Sequence, residues 1–490
     1  MMPVVLAMAA VAWPQDPAAL LVGNSYTAQN GLALRFQERA QADVPAWATL
    51  TAHSITTGGK DLTGHLRDAD GTAGDTALRQ ALVTGPDAYA VVTLQDQSQI
   101  PGFPQDGATW LAGRDAAVEL TGLVTAHGAD TWFLLTWGRR DGDSSNPSLY
   151  PDFPTMQDRL TEGYLAYRDA ARDAHPDAVV HVAPVGEVFR SIWQTEWDSG
   201  TDPTLESSLF HRLYAADGSH PSAVGTFVAS GTFVAAMTGR RPSPQDFLVD
   251  LGLDLDTQEA LTDRVAEVVL SDPLDTPFDP PWVHHWSDWD GPIHGERERP
   301  FVWLDAEADG GDVVVDDGRL WIEPDATLSA STVTVRPLGT LTQLGALTAT
   351  DIAVEGQWIW EAGRLSAQTW TGDLTGGPQG NLVLPSDAPL AVSGSVALQG
   401  STLTFSGALN PGETRVVLQA ASLSLDAVIW DLPPDVEALV DDEGIQLVRQ
   451  PAEPGSDGPS DACGCRTTGT FPVVGWELVG LWALCRRRRP

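Results

Sequence analysis

What most constrains the fold of this chain is a change of hydrophobic period partway along it. From residue 18 to about 240, short apolar runs alternate with stretches of helical spacing; from about 301 to 449 the helical spacing is gone and short β-type runs recur. The candidate strands of the first region are Ala18–Val22, Ala48–Ile55, Ala88–Leu94, Thr131–Thr136 and Ala178–Val185, with helical stretches at Gln29–Ala40, Asp115–His127, Met156–Ala174, Ser222–Met237 and Leu261–Leu270. Such alternation predicts an α/β fold with a parallel sheet covered on both faces. In the second region the runs include Asp312–Val315, Arg319–Ile322, Thr332–Val335, Asp351–Val354, Gln357–Trp360, Asn381–Leu384 and Thr402–Phe405, often parted by Gly, Asp or Pro. Strands this short and frequent fit a β-solenoid or a sandwich, and the Gly-x-Leu-x pattern of Gly339-Thr340-Leu341-Thr342 and Gly363-Arg364-Leu365-Ser366 favours an all-β, solenoid-like domain.

A chain of 490 residues is too long for one typical domain. Composition divides it into 13–270, a Pro/Trp-rich linker over 271–300, the β-rich 301–449, a Pro/Gly/Ser/Asp linker over 450–469 and an apolar segment with an arginine cluster over 470–490. Within 271–300, His284, His285 and His294 have no regular ligand spacing, so they read as surface histidines beside tryptophans. The formal net charge is −38, from 66 acidic and 28 basic residues, and Lys60 is the one lysine. Phosphate backbones need basic stripes, so nucleic acid is not an expected partner, and such a surface repels anionic membranes. All three cysteines, Cys463, Cys465 and Cys485, fall near the C-terminus, which leaves the body without a disulfide, a thiol nucleophile or a cysteine metal site. Met1 to Ala12 is apolar and closes on Ala10-Val11-Ala12, the small-x-small pattern of a signal peptide, although no basic residue precedes it; a first buried strand or a wrongly chosen start codon are the other readings.

The chemistry-bearing residues lie at the ends of the candidate strands. Gly23-Asn24 breaks the first apolar run, and Ser25 follows at a strand-to-helix turn, where a hydroxyl projects beyond the carboxyl end of a sheet. An ordinary polar turn would account for that motif alone. A serine hydroxyl needs a base to take its proton and donors to hold the oxyanion. The candidate base is late, in Asp217-Gly218-Ser219-His220-Pro221: Asp217 would hold the tautomer of His220, leaving the other ring nitrogen for Ser25. By itself an Asp-x-x-His is equally a turn and cap. Thr57-Gly58-Gly59-Lys60 follows the second strand and lets a backbone N–H approach an oxygen, from either glycine. Leu94-Gln95-Asp96-Gln97-Ser98-Gln99 follows the third and brings carboxamides, with loop capping as the alternative use. Trp137, Arg139 and Glu187 close later strands at the same edge, as substrate contacts or as packing and ion-pair residues.

These blocks, in this order, resemble the four blocks of the SGNH (GDSL-type) hydrolases over roughly residues 18 to 240. The resemblance implies a flavodoxin-like three-layer α/β/α domain and metal-free, cofactor-free cleavage of carboxylic esters, often acetyl esters of carbohydrates or lipid esters. It implies Ser25 as nucleophile, His220 as base, Asp217 as its partner, and an oxyanion hole from the Ser25 and Gly59 N–H groups with Gln97. Two departures stand out. Asn24 takes a place where the family usually has Asp, and Gln97 takes the place of an asparagine in a Gly-x-Asn-Asp-like segment. The β-rich region resembles the β-helical passenger regions of secreted adhesins and autotransporters. Cys463-Gly464-Cys465, the apolar run and Arg486 to Arg489 together resemble C-terminal sorting tags of the MYXO-CTERM type, and a plain anchor is the alternative. The resulting expectation is a surface-held serine esterase acting on small-molecule or polysaccharide esters, touching a membrane only through its C-terminal segment. The alternative is an inactive SGNH-fold adhesion or glycan-binding protein.

Overall fold

The computed structural model describes residues 17–86, 89–244, 252–270, 276–289, 291–294 and 299–450, with short breaks at 373, 385–389, 400, 406–408, 410, 412, 427 and 442–443. The expected signal at Met1 to Ala12 and the C-terminal cysteine and arginine motifs lie outside the described residues. The chain divides into two compact units. One holds the described residues through His284 and again up to Phe301; the other holds His285–His294 and the described residues from Val302 onward. The Pro/Trp-rich stretch is thus shared between them. Trp282 is buried in the first unit, its indole N–H donating to Ala236 O at 3.1 Å.

In the first unit, β1 (Ala18–Gly23), β2 (Thr51–Thr56), β3 (Val91–Leu94), β4 (Asp130–Leu134) and β5 (Val180–Ala183) form one sheet in the order β2-β1-β3-β4-β5. Every pairing is parallel. This is the flavodoxin-like order, whose reversal between β1 and β3 opens a crevice at the carboxyl edge. All of β1 is buried. Leu20 and Val22 join a core with Val92, Leu120, Phe133 and Leu160, and the alternate residues Ala19 and Leu21 turn to the opposite face. Burial on both faces is the reason the strand is an unbroken apolar run. β2 is an edge strand, and its Thr51, His53 and Ser54 are exposed.

The helices are α1 (Leu32–Asp43), α2 (Leu62–Ala69), α3 (Ala108–Ala126), α4 (Phe153–Ala174), α5 (Val185–Asp198), α6 (Ala223–Thr238) and α7 (Leu255–Leu270). α2, α3 and α4 pack together on one side of the sheet, while α1, α6 and α7 pack on the other. α6 is buried from Val224 to Thr238, which explains its apolar, small-residue composition. Ser222 caps its start and Gly239, at φ 66°, ends it. One expectation needs correction. The fifth strand ends at Ala183 rather than Val185, because Pro184 closes it and opens α5. α2 and α5 have no counterpart among the expected helical stretches, and the eight residues of α2 are too few to show a period.

The second unit is a stack of parallel coils. Leu328, Leu347, Leu365, Leu382 and Leu403 lie in register, 19, 18, 17 and 21 residues apart, and all are buried. A second column runs Val333, Ile352, Trp370 and Val392. The Gly-x-Leu-x pattern has a steric cause at these corners. A Cβ on Gly339 would stand 2.2 Å from Val315 O, and one on Gly363 (φ 83°) 2.0 Å from Gly345 O. The following leucine then points into the core. The stack ends in an antiparallel hairpin, Val436–Val440 with Gly444–Arg449, which also pairs with Thr414–Gln419.

Candidate active site

Four loops converge at the carboxyl edge of the first unit's sheet, and their backbones are tied to one another. After β1, Asn24 caps the turn Ser25–Ala28, its Oδ1 accepting from Tyr26 N at 3.1 Å. Its Nδ2 donates to Lys60 O at 3.1 Å and to Asp96 O at 3.3 Å, and its N–H donates to Gln95 Oε1 at 2.9 Å. One asparagine therefore binds the turns after β1, β2 and β3. An aspartate there would have no hydrogen for the two carbonyls. Thr57 N donates to Gly23 O at 3.2 Å, which holds the Thr57–Lys60 turn against the serine's own turn.

Ser25 Oγ lies 2.8 Å from His220 Nε2, and His220 Nδ1 lies 2.5 Å from Asp217 Oδ2. Asp217 Oδ1 also accepts from Ser219 N and His220 N, each at 2.9 Å. Burial pushes the Asp217 carboxyl up, but the hydrogen bonds from the His220 ring, Ser219 N–H and His220 N–H outweigh it, so it lies below the ordinary aspartate value and stays ionised. The histidine loop is braced from both sides. Ala215 N donates to His220 O at 2.8 Å, and Arg140 N donates to Gly218 O at 2.8 Å. Asn30, held at φ 55°, donates from Nδ2 to Pro221 O and Thr226 Oγ1, both at 3.0 Å, so the chain after Ser25 grips the chain after His220. Tyr26 lies edge-on to the His220 ring at 5.3 Å, with its hydroxyl 2.6 Å from Ser219 Oγ.

Of the expected oxyanion donors, the N–H groups of Ser25 and Gly59 have no acceptor among the described residues. Gly59 has φ 68°, which requires glycine, and it is exposed with no atom within 4 Å of where a Cβ would stand. Gln97 is differently placed: its Oε1 accepts from Gln99 N at 2.8 Å and its Nε2 faces Gln99 Oε1 at 3.4 Å. Gln95 is wholly engaged beneath the serine turn, where Oε1 accepts from Asn24 N and from Thr27 Oγ1 at 2.9 Å. Trp137 is buried between Tyr26 (5.0 Å) and Phe189 (4.8 Å), both stacked on it, and offers no face to a sugar. Arg139 pairs with Asp143 at 2.6 Å, and Glu187 binds Thr161 and faces Arg190, so all three take the packing or ion-pair reading. In the second unit His285 pairs with Asp305 at 2.7 Å and lies edge-on to Trp303. Among the described residues no group of three or more His, Cys, Asp or Glu side chains is arranged to hold a metal ion.

Two buried groups lie behind the turns: His65, which no motif marks, and Asp96, which takes the loop-capping use. His65 Nε2 donates to Gly23 O at 3.0 Å, and burial, with the Lys60 charge, lowers its pKa to about 4. Asp96 accepts from Leu62 N (2.9 Å), Gln97 N (2.7 Å) and Tyr167 Oη (3.1 Å), and burial raises its pKa to about 6. On the far side of the sheet, burial and Arg172 lower His181 to about 4. Their signs oppose. As pH falls from 6.5 toward 4, unfolded histidines take up protons that the folded ones refuse, so each costs the fold about 3 kcal/mol. Asp96 acts in reverse, because its folded carboxyl takes up a proton near pH 6 while the unfolded one waits until about 4; this returns about 2–3 kcal/mol. Two histidines outweigh one aspartate. The lowered Asp217 carboxyl adds to the loss, so urea unfolding should show a net fall in stability between pH 7 and pH 4, and a gain on acidification would reverse this account.

No protein-family model matches the chain, and no curated protein matches it. Among solved structures it is similar to a protein described as an SGNH hydrolase from Slackia heliotrinireducens, at 24% identity over 44% of this chain and 96% of that one, with a TM-score of 0.33. It is also similar to an acetyl xylan esterase (11% identity, 45% and 98% covered, TM-score 0.32). A third is a catalytic mutant of an acetylxylan esterase from Geobacillus stearothermophilus (13% identity, 44% and 92% covered, TM-score 0.29). Each covers less than half of this chain.

Proposed function

We propose that the first unit is a serine hydrolase of carboxylic esters working through an acyl-serine intermediate. The observation that supports this best is the continuous line from Ser25 Oγ through the His220 ring to Asp217, at 2.8 and 2.5 Å. In this reading His220 Nε2 takes the proton as Ser25 Oγ attacks the ester carbonyl, and Asp217 holds Nδ1–H and stabilises the imidazolium. The tetrahedral oxyanion turns toward the Ser25 and Gly59 N–H groups, with Gln97 as third donor if its carboxamide rotates off Gln99. Collapse returns the proton from His220 to the leaving alcohol. Water then repeats the sequence on the acyl-serine with the same base. The substrate is a small-molecule or polysaccharide ester, such as an O-acetyl group on carbohydrate or a short-chain lipid ester. The apolar N-terminus and the C-terminal cysteine–apolar–arginine arrangement support export and retention at the cell surface. Short-chain p-nitrophenyl esters test the reading: the wild type should hydrolyse them and Ser25→Ala should lose at least about 10³-fold. Full activity in the alanine variant would end it.

A second reading, a binding protein on the same fold without turnover, draws on the inward-turned Gln97 carboxamide. A fluorophosphonate probe separates the two, since only a competent Ser25 is labelled.

A further inference from the structure

α5 does not run back beneath the sheet as the crossover helix of such a fold usually does. Its contacts with α4 run in opposite order along the two helices: Glu187 meets Thr161, Arg190 meets Asp158, and Trp193 reaches Phe153, the first residue of α4. From Thr161 to Phe153 is about 12 Å along α4, and Phe153 O lies beside Gly138, four residues past the end of β4. α5 therefore climbs beyond the carboxyl edge and carries its last turn to the rim where the four loops meet. Glu196 fastens that turn to the next segment, its carboxylate accepting from Leu209 N at 2.5 Å and Phe210 N at 3.1 Å, and Leu209–Arg212 leads directly into the Asp217–His220 loop.

On this wall Trp193 and Trp197 stack nearly parallel, with centroids 5.3 Å apart and planes 9° from parallel. Trp193 is anchored on Phe153, whereas Trp197 is 58% exposed, the most open large aromatic among the described residues. A rigid indole outside the core places a face with a negative quadrupole toward solvent, and pyranose C–H bonds complement such a face. Between Arg190 and Arg212 the chain carries Glu196, Asp198, Asp202 and Glu206 and no Lys or Arg. That surround disfavours anionic polymers and supplies acceptors for sugar hydroxyls.

We infer that the Trp193–Trp197 pair is a stacking platform for a neutral pyranose polymer, placed at the rim to hold the chain whose ester the Ser25 site would cleave. The inference rests on the hydrolase reading for its purpose but not for its geometry. The test uses the full chain carrying Ser25→Ala, run in native gels containing soluble xylan, hydroxyethylcellulose or polygalacturonate. At least one neutral polymer should retard the protein, with polygalacturonate retarding it less. Trp197→Ala should weaken the retardation about ten-fold and Trp197→Tyr should keep most of it, with circular dichroism showing that both variants fold. The inference is overturned by an absence of retardation in both neutral gels, by retardation indifferent to Trp197→Ala, by equal retardation in polygalacturonate, or by a Trp197-dependent dimer in place of sugar binding. Sugar binding without ester turnover in the wild type would sink the hydrolase reading alone. Turnover without Trp197-dependent binding would sink this inference alone.

Discussion

His220→Ala is expected to lower kcat/KM for a p-nitrophenyl ester by about 10⁴-fold, and the double variant Ser25→Ala, His220→Ala should be scarcely worse than either single one. The reason is that the two side chains do one job. At 2.8 Å from Ser25 Oγ, the imidazole turns a poor nucleophile into an effective one. Without the imidazole the hydroxyl keeps its proton, and without the hydroxyl the imidazole has nothing to deprotonate. What survives in all three variants is the contribution of the oxyanion donors and of binding. Stopped-flow or steady-state assays on the three proteins check this. Losses that multiply across the double variant, or more than a tenth of wild-type activity in His220→Ala, would mean that the two residues act independently.

Gly163→Ala should be the most damaging methyl group that can be added to the first unit. A Cβ there would lie 1.8 Å from Pro101 O and 2.5 Å from Pro101 C, both backbone atoms. The obstructed segment has little room to retreat, because Pro101 O accepts from the Trp110 indole at 2.9 Å and Ile100 N donates to Gln97 O at 3.1 Å. Either α4 moves off the turn or these bonds break, at about 3 kcal/mol. The damage lands on the loop that carries Gln95, Asp96 and Gln97, so activity should fall along with the urea midpoint. Gly58→Ala, with nothing within 4 Å of its Cβ and no left-handed φ, should leave the unfolding free energy within about 0.5 kcal/mol of wild type and the midpoint nearly unmoved. Equal midpoints for the two variants would contradict the packing described here.

Much of the architecture was legible in the residues because it depends on local periodicity. Buried β1 must be apolar on both faces, so Ala18 to Val22 shows itself, and coils that stack glycine corners under inward leucines repeat Gly-x-Leu-x. Punctuation also survived: Gly23-Asn24 stops the strand one residue before Ser25, and Pro221 with Ser222 announces α6. The fifth strand is drawn two residues too long from sequence because Pro184 both ends a strand and starts a helix, and Val185 suits either state. The carboxamides after β3 allow two uses in the sequence, oxyanion donor or loop cap. Gln95 supports the serine turn and Gln97 is folded onto Gln99, and only the side-chain partners distinguish those uses.

Sequence by itself determined which residue types stand at the ends of the strands, and in what order, because strand period and turn chemistry act over a few neighbours. Tertiary structure alone decided that Ser25 and His220 meet across 195 positions, that His65 and Asp96 are buried behind them, and that the exposed Trp197 stacks on Trp193. The physical reason is that a buried polar group takes whichever partner packing brings within about 3 Å. That choice is made by the whole sheet and its layers, and it leaves no pattern in the chain on either side of the residue.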